Sequence, residues 1–227
     1  MIAWLVQSSA DLPTWPAETW LSPPELARLG ELRVVKRRDD WLLGRWTAKR
    51  LAQQVLGGTE NPPALSQFTI HPAADGAPEL WREGQPVPRS ISISHSHGQA
   101  LCALGVEGSR VGADIERVNL QAPDFLRDYL TTAEHTLLAS ASPAARPTLA
   151  IAIWSAKEAV LKALRLGLTV DTLRLSCLVP LDPNANQTWV PFTVDCDPQL
   201  CAAAITGWWR LDDPFVMTLA VIESPLR

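Results

Sequence analysis

Two short acidic motifs hold the residues with the most chemistry in this chain. Val111-Gly112-Ala113-Asp114-Ile115-Glu116 sets two carboxylates at alternate positions, and Trp154-Ser155-Ala156-Lys157-Glu158-Ala159-Val160-Leu161-Lys162 sets a carboxylate and an amine four residues apart. Residues two apart in a strand share a face, so Asp114 and Glu116 would lie side by side, with Val111, Ala113 and Ile115 turned into a core. On a helix, Glu158, Lys162 and Arg165 form one stripe, with Ala156, Val160 and Ala163 roughly opposite. Glu158 and Lys162 also stand in the favourable order for an i, i+4 pair. Like charges held together repel, and a divalent cation relieves the repulsion. Magnesium takes a few carboxylates plus phosphate oxygens and water. Three carboxylates and a lysine on two rigid elements therefore suggest a magnesium site that handles a phosphate ester. Read singly, each motif also has a plain structural explanation: a polar strand face, or a solvent-exposed helix salt bridge.

Three further groups could serve such a site. Ser90-Ile91-Ser92-Ile93-Ser94-His95-Ser96-His97-Gly98 runs from strand alternation into a hydroxyl- and imidazole-rich turn able to donate hydrogen bonds to a phosphate. Lys157 lies off the Glu158 stripe and could reach a separate phosphate. Lys36-Arg37-Arg38, followed by Arg45, Lys49 and Arg50, reads mostly as a solvated helix face from which one or two members could bind a peripheral phosphate.

The elements that must position these residues follow from pattern and punctuation. Met1–Val6 has strand character. Ser22 is a candidate N-cap before Pro23, and a helical pattern runs from about Asp39 to Leu56, ending at Gly57-Gly58. A short strand at Phe68–Ile70 precedes a Pro/Gly-rich stretch, Asp75 to Arg89, that reads as loop. Strands are expected at Ser90–Ser94, Gln99–Gly105 and Arg110–Glu116. Short helices then begin near Pro123 and Thr132, and a helix of roughly 20 residues runs from Pro147 to Gly167. Strands close the chain at Thr172–Leu178, Trp189–Val194, Ala202–Trp209 and Val216–Ile222. The order strand, helices, strands occurs twice with a seam near Gly105–Arg110, although no sequence repeat stands out. The expected class is α+β, with one half over residues 1–108 and a second, carrying the metal motifs, over 109–227.

Composition narrows the classes. The chain has 227 residues, 47% of them hydrophobic and 19% charged, which suits a soluble globule with a sizeable core. A net charge of −4 and the lack of a basic stripe argue against a nucleic-acid module, so the ten tryptophans read as packing residues. No apolar run reaches the roughly 20 residues of a membrane span, and the short apolar N-terminus lacks a basic flank. Cys102, Cys177, Cys196 and Cys201 form no CxxC pair and read as reduced core residues of a cytoplasmic protein.

In this order and at this separation, the motifs resemble those of the 4′-phosphopantetheinyl transferases, in particular the larger, monomeric class typified by the surfactin-synthetase activator. The matching residues are Ile93-Ser94-His95-Ser96, the two acidic motifs, Tyr129-Leu130-Thr131-Thr132-Ala133-Glu134 between them, and Leu42-Leu43-Gly44-Arg45 in the N-terminal helix. The resemblance implies a pseudo-twofold pair of similar α+β halves with the active site in the cleft between them. It implies an enzyme of the holo-[acyl-carrier-protein] synthase type, which moves the phosphopantetheine arm of coenzyme A to a serine of an acyl, peptidyl or polyketide carrier protein and releases adenosine 3′,5′-bisphosphate. Carried over by position, Asp114, Glu116 and Glu158 would hold Mg²⁺ or Mn²⁺, and Lys162 would neutralise phosphate charge. Ser94 and His95 would contact the coenzyme near its 3′-phosphate, with Arg45 and Lys157 as further coenzyme contacts. Glu158, directly or through water, is the candidate base for the carrier serine. The other reading is a family member that binds coenzyme A or a carrier without catalysing transfer. The family usually has a Gly-Lys-Pro-like segment upstream of the Ser-His-Ser turn; here Gly76-Ala77-Pro78 lacks the lysine, leaving Arg82 or Arg89 to substitute. An acidic carrier would call for a local basic and apolar patch, and Phe125, Leu126, Arg127, Tyr129 and Leu130 are candidates for it.

Overall fold

The computed structural model describes residues 2–58, 63–119, 123–181 and 185–223. It divides into two compact units, Met1–Ser109 and Arg110–Arg227. In the first, strand β1 (Ala3–Ser8) precedes helices α1 (Pro23–Glu31) and α2 (Val35–Leu56). Strands β2 (Phe68–Pro72), β3 (Pro78–Arg82), β4 (Gln85–Ser96) and β5 (Gln99–Leu104) follow. They form one antiparallel sheet in the order β1-β5-β4-β3-β2. The second begins with β6 (Ser109–Arg117), continues through helices α3 (Pro123–Tyr129), α4 (Thr132–Ser140) and α5 (Arg146–Leu164), and ends with β7 (Leu175–Leu178), β8 (Val190–Cys196), β9 (Ile205–Asp212) and β10 (Phe215–Glu223). Its sheet runs β6-β10-β9-β8-β7. One strand plan is used twice: each unit's first strand lies beside its last. Strands cluster after helices in both, so the class is α+β, as the sequence pattern implies.

Each sheet is covered by one long helix. Leu51, Ala48 and Ala52 of α2 pack into a core with Phe68, Ile70, Leu80, Ile91, Cys102 and Leu104. In the second unit α5 is apolar almost all round and buries Leu149, Ile153, Val160 and Leu161 with Val216, Ala220 and Ile222 of β10. Burial of each such aliphatic side chain stabilises by about 1.5–3 kcal/mol. All four cysteines are free, with Cys102 and Cys177 fully buried.

Three boundaries depart from the sequence reading. The stretch read as loop from Asp75 to Arg89 holds β3 and the start of β4. Its signal is the two-residue turn Glu83-Gly84, with φ of 51° and 78°, the backbone a tight hairpin requires; the flanking prolines masked it. Helix α2 begins at Val35, so Lys36-Arg37-Arg38 lies in its first turn rather than before it. Helix α5 ends at Leu164, because Arg165 takes the left-handed conformation (φ 60°) two residues before Gly167 would have stopped it.

A fourth departure is a repeat, visible once the two strand plans are set in register. Trp20-Leu21-Ser22-Pro23-Pro24-Glu25 corresponds to Tyr129-Leu130-Thr131-Thr132-Ala133-Glu134, and Trp46-Thr47-Ala48-Lys49 to Trp154-Ser155-Ala156-Lys157. Each pair of segments builds the same buried device. Glu25 and Glu134 are the third residues of their helices, and each accepts the N-cap backbone N–H, from Ser22 at 3.0 Å and from Thr131 at 2.7 Å. The other oxygen of each accepts from the second strand of its unit, Ile70 N at 3.1 Å or Cys177 N at 2.7 Å. Lys49 ion-pairs with Glu25, and Lys157 with Glu134 at 2.8 Å. The lysines also donate to Trp20 O and Tyr129 O, both at 2.8 Å. All four side chains are buried. Removing one partner of such a pair strands a buried charge, at a cost of about 3–5 kcal/mol.

Candidate active site

The acidic site of the second unit depends on a missing side chain. Gly112, Asp114 and Glu116 alternate along one face of β6, and α5 lies directly on it. A Cβ at Gly112 would come 1.8 Å from Ala159 O and 2.7 Å from Ala163 N. Only glycine lets the helix backbone approach this closely, and the approach sets the Glu158–Lys162 stripe against Asp114. Lys162 Nζ donates to Asp114 Oδ1 at 2.6 Å and to Ala113 O at 3.2 Å, and lies 3.6 Å from Glu158 Oε2. Asp114 is 1% exposed; the Glu158 and Lys162 side chains keep 20% and 28% of their surface. Glu116 is half-buried and acts on the same two groups through its charge.

The electrostatics match this crowding. Burial, then the neighbouring charge of Asp114, pushes the Glu158 carboxyl up to about 7, with Lys162 acting in opposition. Burial works against the charge on Lys162, yet Asp114 and Glu158 together hold its ammonium above the usual lysine range. A carboxylate that titrates near neutrality can accept a proton at working pH. Among the described residues no three His, Cys, Asp or Glu side chains already converge as a cation-binding group; the cation between Asp114 and Glu158 is the Lys162 ammonium. The donor chemistry nevertheless fits magnesium. The available atoms are hard carboxylate oxygens, and the repulsion that raises Glu158 is what a divalent ion relieves.

Ser94, His95 and Arg45 belong to the first unit. Ser94 is buried on β4 opposite Leu101, and His95 stands opposite Ala100 with its side chain 46% exposed. Its Nδ1 lies 3.9 Å from Asp40 Oδ2, which also accepts from Lys36 Nζ at 2.8 Å. The strand reverses just beyond, at His97-Gly98, with φ of 49° and 75°. Arg45 is half-buried, stacked over the Trp41 ring at 4.8 Å and 3.7 Å from Glu25.

Several expectations change. Lys157 does not reach for a phosphate: it has no solvent exposure, and its ammonium is spent on Glu134, Tyr129 O and Thr172 O. Arg127 does not make a basic patch, because Asp124 and Asp128 bind its guanidinium at 2.8 and 2.9 Å and offset its charge on the same helix. Phe125 and Tyr129 of that set pack with Trp154, with centroids 4.9 to 5.2 Å apart. Leu130 is core. The arginines expected to substitute for the lysine missing at Ala77 are both engaged by backbone, Arg82 with Leu56 O and Arg89 with Gly105 O. Glu134 was given no role from sequence, although Thr131-x-x-Glu134 is a legible capping box.

Comparison with known proteins places the chain. A model of the 4′-phosphopantetheinyl transferase superfamily matches residues 110–219, which span both acidic motifs. The Synechocystis sp. protein slr0495, provisionally named a 4′-phosphopantetheinyl transferase, is 30% identical over 207 residues, 88% of this chain and 75% of its own. The chain belongs to the 4′-phosphopantetheinyl transferase superfamily. Within that superfamily, the 4′-phosphopantetheinyl transferase HetI of Nostoc sp. is 26% identical over 199 residues, 84% of this chain and 81% of its own. These relatives are of the larger type that the sequence motifs resemble. Among solved structures, the Thermotoga maritima holo-[acyl-carrier-protein] synthase aligns with a TM-score of 0.38 at 19% identity, covering 57% of this chain and 73% of that one. The Helicobacter pylori enzyme in complex with coenzyme A aligns at 0.36 and 20%, covering 47% and 99%. Among the described residues no helix is long and apolar enough to cross a membrane.

Proposed function

We propose that the protein transfers the 4′-phosphopantetheine arm of coenzyme A to a serine of a carrier protein, with Mg²⁺ bound by Asp114, Glu116 and Glu158, and releases adenosine 3′,5′-bisphosphate. Family membership supports the transfer. The observation that carries the finer reading is the Lys162–Asp114–Glu158 cluster, built on β6 and α5 inside the family-matched segment. A bound Mg²⁺ would supply charge neutralisation on the pyrophosphate. The chain's own residues supply the rest. Asp114, fully buried, anchors the Lys162 ammonium. Lys162, held charged, offers its ammonium to a phosphate oxygen. Glu158, deprotonated when the site is loaded, takes the proton of the carrier serine directly or through water. Ser94 and His95 would contact the coenzyme, with Arg45 as a peripheral contact. The direct test is to incubate the protein with coenzyme A, Mg²⁺ and an apo carrier protein; the carrier should gain the mass of one phosphopantetheine arm.

A pH dependence follows. The Glu158 carboxyl is raised, so it is protonated below about 7 and must lose that proton before it can ligate a cation. Mg²⁺ affinity should therefore be constant above about pH 8 and fall by up to about tenfold per unit below 7. Calorimetric titration at pH 6 and pH 8 checks this; equal affinities would remove Glu158 from the ligand set.

A further inference from the structure

We propose that Glu134 is a positioning residue for the metal- and phosphate-binding end of α5 and acts through Lys157. The inference rests on the reading of Asp114, Glu158 and Lys162 given above. Lys157 and Glu158 are consecutive on α5, so a rotation or slide of the helix that displaces one displaces the other. The Lys157 ammonium has three protons and meets three acceptors: Glu134 Oε2 at 2.8 Å, Tyr129 O at 2.8 Å and Thr172 O at 2.9 Å. Glu134 is held in turn by Thr131 N and Cys177 N, both at 2.7 Å. The clamp ties α5 to the end of α3, the start of α4, the segment before β7, and β7 itself. Both charged groups are fully buried, where hydrogen bonds are strong and alternatives in water are absent. On the β6 side, α5 rests on Gly112, which fixes how closely the two elements approach but has no side chain to lock the helix against rotation or sliding. Lys162 and Asp114 at 2.6 Å need placement within about half an ångström; the Ser155–Thr218 hydrogen bonds hold α5 to β10, and the clamp fixes the same turn of α5 that carries Glu158.

The first unit contains an internal control. Glu25 and Lys49 hold α2 by the same device, but the residue after Lys49 is Arg50, which stacks over Trp46 at 5.7 Å and donates to Gln53. Loss of either clamp should lower thermal stability. Only loss of the second should loosen the acidic site.

The test compares Glu134→Asp, which keeps the charge but withdraws the carboxylate by one methylene, with Glu25→Asp. Mn²⁺ affinity is read by electron paramagnetic resonance without substrate, and kcat and the carrier KM are read below the melting temperature of each variant. Glu134→Asp should weaken Mn²⁺ binding and lower kcat by about tenfold or more, with carrier KM within about twofold. Glu25→Asp should lose comparable thermal stability and keep Mn²⁺ affinity and kcat within about twofold. A Glu134→Gln/Lys157→Met double variant, which leaves no unpaired buried charge, provides a second folded test with the same expected loss. Wild-type Mn²⁺ affinity and kcat in a folded Glu134 variant would overturn the proposal, as would equal losses in Glu25→Asp. A wild-type protein that binds Mn²⁺ but transfers nothing would instead overturn the functional reading, and the Mn²⁺ comparison would still decide the positioning role.

Discussion

Replacing Glu158 by glutamine should lower carrier modification at least about a thousandfold while leaving the fold intact. General acid–base groups contribute about 10²–10⁴ in rate, and Glu158 is placed to serve as both metal ligand and proton acceptor. Glutamine keeps the size of the side chain and its reach to Lys162, but has neither charge nor basicity. The fold should not suffer. The carboxyl is partly exposed, and its removal relieves repulsion from Asp114, so Tm should stay the same or rise slightly. In the metal-free site the raised carboxyl gives up its proton near pH 7, and bound Mg²⁺ displaces that proton, so at subsaturating Mg²⁺ the wild-type kcat/KM should increase with pH through about 7 and this limb should vanish in the variant. Recovery of activity at high Mg²⁺ would indicate that the ligand role dominates. Near-normal turnover would exclude both roles.

A single methyl group at position 112 should be nearly as damaging by a different route. In Gly112→Ala the new Cβ would stand 1.8 Å from Ala159 O, and the obstruction is helix backbone that no rotamer change can clear. Overpacking of a core costs about 1–3 kcal/mol, and an immovable neighbour puts this site at the upper end. Against a total stability of about 5–15 kcal/mol, the Tm should fall by about 6–12 °C. Relief requires α5 to lift from β6, which stretches the Lys162–Asp114 pair and carries Glu158 away from it. The variant should therefore lose activity even where it remains folded. Thermal melts followed by circular dichroism, with transfer rates measured in the cold, would show both effects. Wild-type Tm and kcat together would mean that α5 is not seated as the structure shows.

Much of this was legible in the residues. Strand alternation placed Asp114 and Glu116 on one face, and helical spacing placed Glu158 over Lys162; the structure retains both arrangements. The loss of regularity expected over Asp75–Arg89 was wrong because prolines at strand positions outweighed the Glu83-Gly84 turn. Lys157 was misread because its spacing from Glu158 says only that it faces elsewhere, not that a carboxylate waits there. That carboxylate, Glu134, lies on a different helix, and the pairing becomes visible only when Trp20–Glu25 and Tyr129–Glu134 are seen to play one part in two similar units. Arg127 likewise looked cationic in isolation, whereas Asp124 and Asp128 on its own helix offset it. In each case the deciding partner was a contact across the fold, or a competing local charge, that a motif does not encode.

The central claim is that the Asp114–Glu158–Lys162 cluster performs phosphopantetheine transfer. Its most direct measurement is the intact mass of an apo carrier protein after incubation with coenzyme A, Mg²⁺ and either the wild-type protein or Glu158→Gln. The expected result is one phosphopantetheine arm added by the wild type, abolished by chelating the metal and almost absent with the variant. An unmodified carrier with the wild type across a panel of acyl, peptidyl and polyketide carriers, or equal modification by Glu158→Gln, would contradict it.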